Sequence, residues 1–198
     1  MCLDGKNKIM APLDDKLIRT NLISKLKKQT IKPKAVIEEL RVHNGNAIAD
    51  VVALYKEAHC FEIKGDGDKI ERAIKQGYYY NSSFRKITLV TTNKHLDKAI
   101  DVLSGFWGII IAERKKDEIS LKYVRRARNN PCFDKSLALL TLWKSEMLNL
   151  IEHKFTGIRK NNRKLLAKLI AHSKKKEELS YNISTTLIAR YYQISSEI

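Results

Sequence analysis

The segment GNAIADVVALYKEAHCFEIKGDGD, residues 45–68, has the most informative pattern of this chain. It contains two short apolar runs, near 46–55 and 58–64, which predict two buried strands. A polar turn at 56–58 separates the two runs. The stretch therefore predicts a β-hairpin, and the rest of the chain is interpreted outward from it.

Charged residues break both predicted strands where a buried strand should be apolar. Asp50 interrupts the first strand, and Glu62 and Lys64 close the second. Folding the hairpin about its turn places Asp50 opposite the segment from Glu62 to Lys64, and strand alternation points Glu62 and Lys64 to the same face. Buried carboxylates and amines are costly unless they are paired or bind a metal ion. The cluster therefore indicates either a structural ion pair or a functional site.

The flanking pattern predicts helices before the hairpin and alternating helices and strands after it. Residues 13–29 show the apolar spacing of an amphipathic helix, and Pro33 suits the first turn of a second helix that ends near Val42. After the hairpin, a helix is predicted from the N-cap Asp68 to about Ser82, and Glu71 completes a capping box. The elements predicted beyond it are a strand at 87–92, a helix at 95–103, a strand at 107–113, a turn at Asp117 and an edge strand at 119–124.

Three regions follow from this order of elements. Residues 1–124 form an α/β core with an N-terminal helix, because strands separated by helices favour a mixed central sheet with helices on both faces. Residues 125–134, RRARNNPCFD, are basic and broken by a proline, and they predict a linker. Residues 135–198 read as helices only, near 135–151, 158–177 and 183–193. This helical extension could bind DNA, form a homodimer or cover the sheet.

The charge balance predicts a polyanionic partner. The chain has 38 lysines and arginines against 22 acidic residues, and residues 114–198 hold 19 of the basic and 8 of the acidic ones. Such a surplus suits nucleic acid before a membrane. Within the linker, Arg125, Arg126 and Arg128 are the expected phosphate contacts.

The remaining composition favours the cytoplasm. Cys2, Cys60 and Cys132 are too scattered for a disulfide framework or a zinc site. The N-terminal residues MCLDGKNKIM lack the apolar core of a signal peptide. The apolar run at 105–112 is far too short to cross a bilayer, so we expect no membrane attachment.

Three further residues are candidates for the site. Glu39, in AVIEELRV, is expected on the second helix, on one face with Val36 and Val42, and its neighbour Glu38 could replace it. Gln76 and Tyr80 are four residues apart and share a helix face, where they could contact a phosphate or a base. The alternative is that Glu39 is a surface acid and Tyr80 a core aromatic.

Asp50, Glu62-Ile63-Lys64 and Gln76-x-x-x-Tyr80, preceded by Glu39, resemble the PD-(D/E)XK nuclease superfamily. The Gln-x-x-x-Tyr element is similar to its RecB-like branch, and Ala49 replaces the usual proline. The resemblance covers about residues 33–113 and implies a restriction-endonuclease-like αβββαβ core. The phrases EIKGDGDKIERAIKQ, TNKHLDKA, WGIIIAE and LWKSEML also resemble a group of bacterial and phage-borne proteins with this core.

The resemblance implies a metal-dependent nuclease, with DNA as the first substrate to consider. Asp50, Glu62, the Ile63 carbonyl and Glu39 would ligate Mg²⁺, or Mn²⁺ in its place. Lys64 would orient or deprotonate the attacking water, or offset charge in the transition state. A catalytically silent nucleic-acid-binding or protein-interaction module with the same fold is the alternative. DNA or RNA, duplex, single-stranded or branched substrate, and endo- or exonucleolytic cutting all stay open.

Overall fold

The computed structural model describes residues 11–115, 118–151 and 160–196. Its helices and strands follow one another in the order α, β, β, β, α, β, α, β, β, then helices only. They are α1 (Asp15–Lys28), β1 (Ala35–Val42), β2 (Ala47–Leu54), β3 (Ala58–Lys64), α2 (Ile70–Ser83), β4 (Lys86–Thr91), α3 (Leu96–Val102), β5 (Gly108–Lys115), β6 (Glu118–Arg125), α4 (Lys135–Leu139), α5 (Lys144–Asn149), α6 (Arg163–Ser173) and α7 (Lys176–Ser196).

Six strands of the described residues form one mixed sheet in the order β1-β2-β3-β4-β5-β6. The strands β3, β4 and β5 are parallel, and the other neighbours are antiparallel. Parallel neighbours need a crossover, which α2 and α3 supply. The α/β class with a mixed sheet is therefore confirmed, and β6 lies at an edge as predicted.

Helices cover both faces of the sheet. On one face α1 buries Ile18, Leu22 and Leu26 against Val51 and Phe61. On the other face α2 and the C-terminal helices share a larger core, to which α4, α6 and α7 all contribute buried apolar side chains. None of the helices in the described ranges is both long and apolar enough to span a membrane.

The hairpin forms as the sequence predicted. Leu54 pairs with Ala58 and Val51 with Phe61, so continuing the register brings Asp50 opposite Glu62. The predicted helix at 13–29 is also confirmed as α1. Asp14 caps that helix by accepting a hydrogen bond from the Leu17 backbone N–H at 2.7 Å.

The helix expected from Pro33 to Val42 is wrong, because these residues form the strand β1. Glu39 has a positive φ of 54°, and the side chains of the strand change face there although its pairing with β2 keeps one register. Ala35 and Ile37 pack into the larger core before the shift, and Leu40 and Val42 do so after it. An alternation interrupted in this way has apolar spacings of two and three, which resemble the spacing of a helix.

The capping box predicted for α2 is also wrong. The N-cap is Lys69, without a side-chain cap bond, because the Asp68 carboxylate instead accepts from the Gly65 backbone N–H at 2.8 Å. That bond closes the turn after β3. The turn predicted at Asp117 lies outside the described residues.

The C-terminal helices are shorter or longer than predicted. The single helix expected at 135–151 is broken between α4 and α5, where Leu140 and Leu142 are buried in the core. The helix expected at 158–177 is seen as α6, with 158–159 outside the described residues. The last helix extends beyond 183–193 in both directions, as α7.

Gly65 is the position in the turn after β3 where a side chain is least tolerable. A Cβ there would lie 2.5 Å from the Leu13 backbone oxygen. We therefore expect Gly65→Ala to lower the free energy of unfolding by about 1–3 kcal/mol, measured by urea denaturation. The matched control is Gly67→Ala, since a Cβ at Gly67 meets nothing within 4 Å. Equal stabilities of the two variants would contradict this close approach.

Candidate active site

A buried ion pair lies at the C-terminal end of β3. Lys64 Nζ donates to Glu62 Oε1 at 2.5 Å and to the Ile63 carbonyl oxygen at 2.9 Å. The Glu62 side chain is fully buried, and 9% of the Lys64 side chain is exposed. Tyr80 Oη lies 2.8 Å from Glu62 Oε2 and 2.7 Å from the Ile48 carbonyl oxygen. Two strands and α2 therefore hold Glu62 in one orientation.

The environment of Glu62 disfavours its charged form. Burial, and then the charge of Asp50, raise the pKa of Glu62 to about 7, although Lys64 acts in the opposite direction. Burial also raises the pKa of Tyr80 far above its usual range, so this hydroxyl keeps its proton. One hydroxyl proton cannot serve two acceptors fully. A protonated Glu62 would donate to Tyr80 and let Tyr80 donate to Ile48, which completes the network.

This raised pKa predicts how stability depends on pH. Folded Glu62 binds its proton up to about pH 7, whereas the unfolded side chain loses it near pH 4.5. The contribution of Glu62 to stability therefore falls as the pH rises from about 4.5 to 7, by on the order of 2–3 kcal/mol. Glu62→Gln should remove this decline in urea denaturation profiles, and the exposed control Glu71→Gln should not. Parallel profiles for wild type and Glu62→Gln would refute the raised pKa.

Asp50 lies where β2 turns away from the regular alternation of its side chains. Ala49 packs in the core on the α2 side and Val51 in the core under α1, so the side-chain pattern shifts at the residue between them. Asp50 Oδ2 accepts from the Ile63 backbone N–H at 2.7 Å. The two strands therefore bring Asp50 alongside the Glu62–Lys64 pair, as the hairpin predicted.

Arg19 of α1 is a cation that the sequence interpretation missed. Its guanidinium lies 3.6 Å from Asp50 Oδ1, and it also contacts Asp15 at 3.6 Å, Glu38 at 3.9 Å and Glu39 at 3.1 Å. Only 16% of its side chain is exposed. The one sequence signal was its spacing of four from Asp15 on an amphipathic helix.

Arg19 therefore offsets several negative charges at once. Arg19→Gln should lower the free energy of unfolding by about 1–2 kcal/mol at low ionic strength, with a smaller loss in high salt. Lys16→Gln is the matched control, since Lys16 is exposed one turn earlier on the same helix and makes no ion pair among the described residues. Urea denaturation at two salt concentrations measures both effects. Equal behaviour of the two variants would contradict the role of Arg19.

Glu39 is not on a helix, but it does lie near Asp50. In the pairing of β1 with β2, Glu38 is opposite Val51 and Leu40 is opposite Ala49. Glu39 and Asp50 lie between these two pairs, so they face each other across the two strands. The Glu39 side chain is 69% exposed and bonds to Arg19. Its proposed role as a metal ligand stays a prediction.

The carboxylates suit a hard divalent cation only in part. The described residues contain no group of three or more histidine, cysteine or acidic side chains arranged to hold a metal ion. Mg²⁺ is, however, commonly bound through one or two carboxylates, with waters and substrate phosphates completing its shell. Asp50 and Glu62 supply two carboxylates, and the Coulombic influence of Asp50 on Glu62 is the kind of repulsion that a cation relieves. The pair therefore fits Mg²⁺ or Mn²⁺, whereas Glu39 would join only after leaving Arg19.

The predicted nucleic-acid contacts are distributed unevenly. Gln76 lies one helical turn before Tyr80, and its buried Oε1 has no hydrogen-bond partner within the described ranges. Arg125 is engaged by the backbone oxygens of Trp107 and Ser104. Arg126 and Arg128 are exposed after β6, three strands across the sheet from β3. The structure thus groups only Tyr80 with the ion pair.

Comparisons with known proteins identify a matching family and a curated relative. The model of the family described as bacteriophage P4 protein cII matches residues 11–198. Protein cII of Enterobacteria phage P4 is 27% identical over 125 residues, which cover 63% of this chain and 47% of that protein. The chain therefore spans about half the length of this curated relative.

One solved structure is also similar in outline. A protein of unknown function from Silicibacter pomeroyi aligns with a TM-score of 0.45 and 15% identity, over 83% of this chain and 88% of that one. A likeness at this level carries no argument about function.

Proposed function

The chain belongs to the bacteriophage P4 protein cII family, and we propose that it is a metal-dependent nuclease that hydrolyses phosphodiester bonds, in DNA first of all and in the cytoplasm. The observation that carries this proposal is the placement of Asp50 beside the buried Glu62–Lys64 pair at the end of β3. Two carboxylates and an amine at one sheet end match the acid, acid and lysine set of the nuclease superfamily that the sequence resembles. The element order from α1 to β4, αβββαβ, supports the same proposal.

Each residue of the site has a role that its contacts support. Asp50 and Glu62 would hold Mg²⁺, which when bound polarises the phosphodiester and lowers the pKa of a water. Water would attack phosphorus and release a proton to solvent, the bond to the leaving oxygen would break, and that oxygen would take up a proton from solvent. Lys64 would orient the water or offset the charge that grows on the phosphoryl oxygens. Tyr80 fixes Glu62, and Gln76 would position the substrate.

A substrate panel tests the proposal. Linear, nicked, branched and single-stranded DNA and the matching RNAs are incubated with the full chain in Mg²⁺ or Mn²⁺, with and without EDTA. We expect cleavage of at least one substrate that stops when EDTA is added. Absence of cutting on every substrate in both metals would refute the nuclease.

A binding module without catalysis is the second candidate, and Arg19 favours it. The guanidinium beside Asp50 already supplies the positive charge that a metal ion would bring. In that case nucleic-acid affinity depends steeply on salt and is indifferent to EDTA. A chain that binds the panel but neither cuts it nor takes up Mn²⁺ would establish this alternative.

A further inference from the structure

A basic and aromatic groove runs along the open edge of the sheet. It has a volume of about 780 Å³ and lies between α1, β1 and the C-terminal helices. β1 is the outermost strand of the sheet that the described residues form, so one wall of the groove is a strand edge without a partner strand among them. We call it the β1 groove and define it by six of its lining residues: Lys27, Arg41, Trp143, Arg163, Arg190 and Tyr191.

Trp143 is held rigidly in this groove although half of it is exposed. Glu146 accepts the Trp143 backbone N–H at 2.6 Å and also accepts from Arg190 Nε at 2.6 Å. The Arg190 guanidinium in turn stacks over the indole at 4.3 Å from its centroid. Backbone and ring are thus fixed by one ion pair, while 51% of the Trp143 surface stays open. A half-exposed indole held beside an arginine can serve as a stacking platform for a base.

The charge of the groove favours a phosphate backbone. Lys27 and Arg41 are exposed, and neither forms an ion pair with any carboxylate of the described residues. The acids that line the groove, Glu38 and Glu39, are both in contact with Arg19. A free strand edge could also pair with an extended peptide, but a peptide has no need of this surplus of cations.

The groove borders the candidate active site. Glu38 and Glu39 belong to its lining, and the arginine that they contact also reaches Asp50. A strand that lies in the groove would therefore run toward Asp50. Bases in a duplex hide their faces in the stack, so an open platform selects unpaired bases.

We propose that the β1 groove binds single-stranded nucleic acid, with one base stacked on Trp143 and phosphates on Lys27 and Arg41. This proposal rests on the proposed function in one respect, which is that the bound single-stranded nucleic acid would be the substrate of the nuclease. Binding is measured in EDTA, so it succeeds or fails independently of cleavage.

The test uses the full chain, a labelled poly-dT oligonucleotide and a labelled hairpin duplex. We expect tighter binding of poly-dT, and Trp143→Ala should weaken it about tenfold or more in fluorescence anisotropy. The control is Tyr181→Ala, because Tyr181 is 45% exposed on α7 but outside the groove lining. Replacing Lys27 and Arg41 with glutamine should reduce the salt slope by about 0.7 for each phosphate that is no longer neutralised.

Tryptophan fluorescence gives a second readout, because quenching reports contact with the indole and not the strength of binding. Trp107 is buried, so quenching by poly-dT should come from Trp143 and should vanish in Trp143→Phe, which keeps an aromatic ring. Circular dichroism checks that each variant is folded. Equal affinity of Trp143→Ala and Tyr181→Ala, a preference for the duplex, or absence of quenching by poly-dT would overturn the proposal.

Discussion

Replacing Asp50 with asparagine is expected to reduce metal-dependent cleavage by about 100-fold or more while nucleic-acid binding persists. Asparagine keeps a side-chain oxygen that can accept the Ile63 backbone N–H, which the carboxylate accepts at 2.7 Å in wild type. The variant therefore removes the charge with little change in the hairpin. Rates are measured on whichever panel substrate wild type cuts, and binding is measured by anisotropy in EDTA.

A matched control separates the charge of Asp50 from general acidity near the site. Asp66 follows the neighbouring strand β3, but its carboxylate accepts the Leu13 backbone N–H at 2.7 Å and ties down the start of α1. Asp66→Asn should keep cleavage within a few-fold of wild type. Cleavage by Asp50→Asn at the wild-type rate would remove Asp50 from the mechanism.

The Glu62–Lys64 pair should prove essential for cleavage and dispensable for stability. Lys64→Met leaves Glu62 buried without its ammonium partner, and we expect a loss of about 3 kcal/mol of unfolding free energy above pH 7. The double variant Glu62→Gln with Lys64→Met removes both charges. It should regain most of that stability, because a buried ion pair often contributes little over neutral side chains of similar size.

The double variant should regain stability, but it should not regain cleavage activity. Lys64→Met and the double variant should both lose about 100-fold or more in rate. The exposed pair of Glu71 and Lys98, each 52% exposed, supplies the control, since replacing it should leave the unfolding free energy nearly unchanged. Urea denaturation and the cleavage assay give the two readouts. A double variant that still cuts would show that the pair is structural.

The elements that the sequence predicted well are those with simple local patterns. The hairpin of β2 and β3 has two apolar runs and one polar turn, so the meeting of Asp50 with the Glu62–Lys64 segment followed from strand geometry. The amphipathic α1 and the buried strands β4 and β5 were equally regular. The helix has one periodicity near 3.6 residues, and the two strands are short continuous apolar runs.

The strand β1 was not predicted from the sequence, and a single residue explains why. The positive φ of Glu39 shifts the alternation, so the eight residues have neither a clean strand period nor a clean helical one. Two glutamates, which favour helices, strengthened the wrong interpretation. Pairing with β2 outweighs that preference, and such pairing is a tertiary effect.

Contacts at the site between residues far apart in the chain could not be predicted from the sequence, because they are also tertiary effects. Arg19 meets Asp50 from a different element 31 positions earlier, and no spacing rule connects them. Arg190 supports Trp143 across a similar gap in the chain. The roles of Gln76 and of Arg126 stay predictions, because neither one contacts the ion pair in a hydrogen bond or salt bridge of the described residues.

Mn²⁺ binding tests whether Asp50 and Glu62 together hold a divalent cation. Isothermal titration of wild type, Asp50→Asn and Glu62→Gln with Mn²⁺ is carried out without nucleic acid, and circular dichroism verifies the folding of each. We predict saturable uptake by wild type that is lost or weakened at least about tenfold in both variants. Uptake that is undiminished in both variants, or no uptake by folded wild type, would contradict the claim.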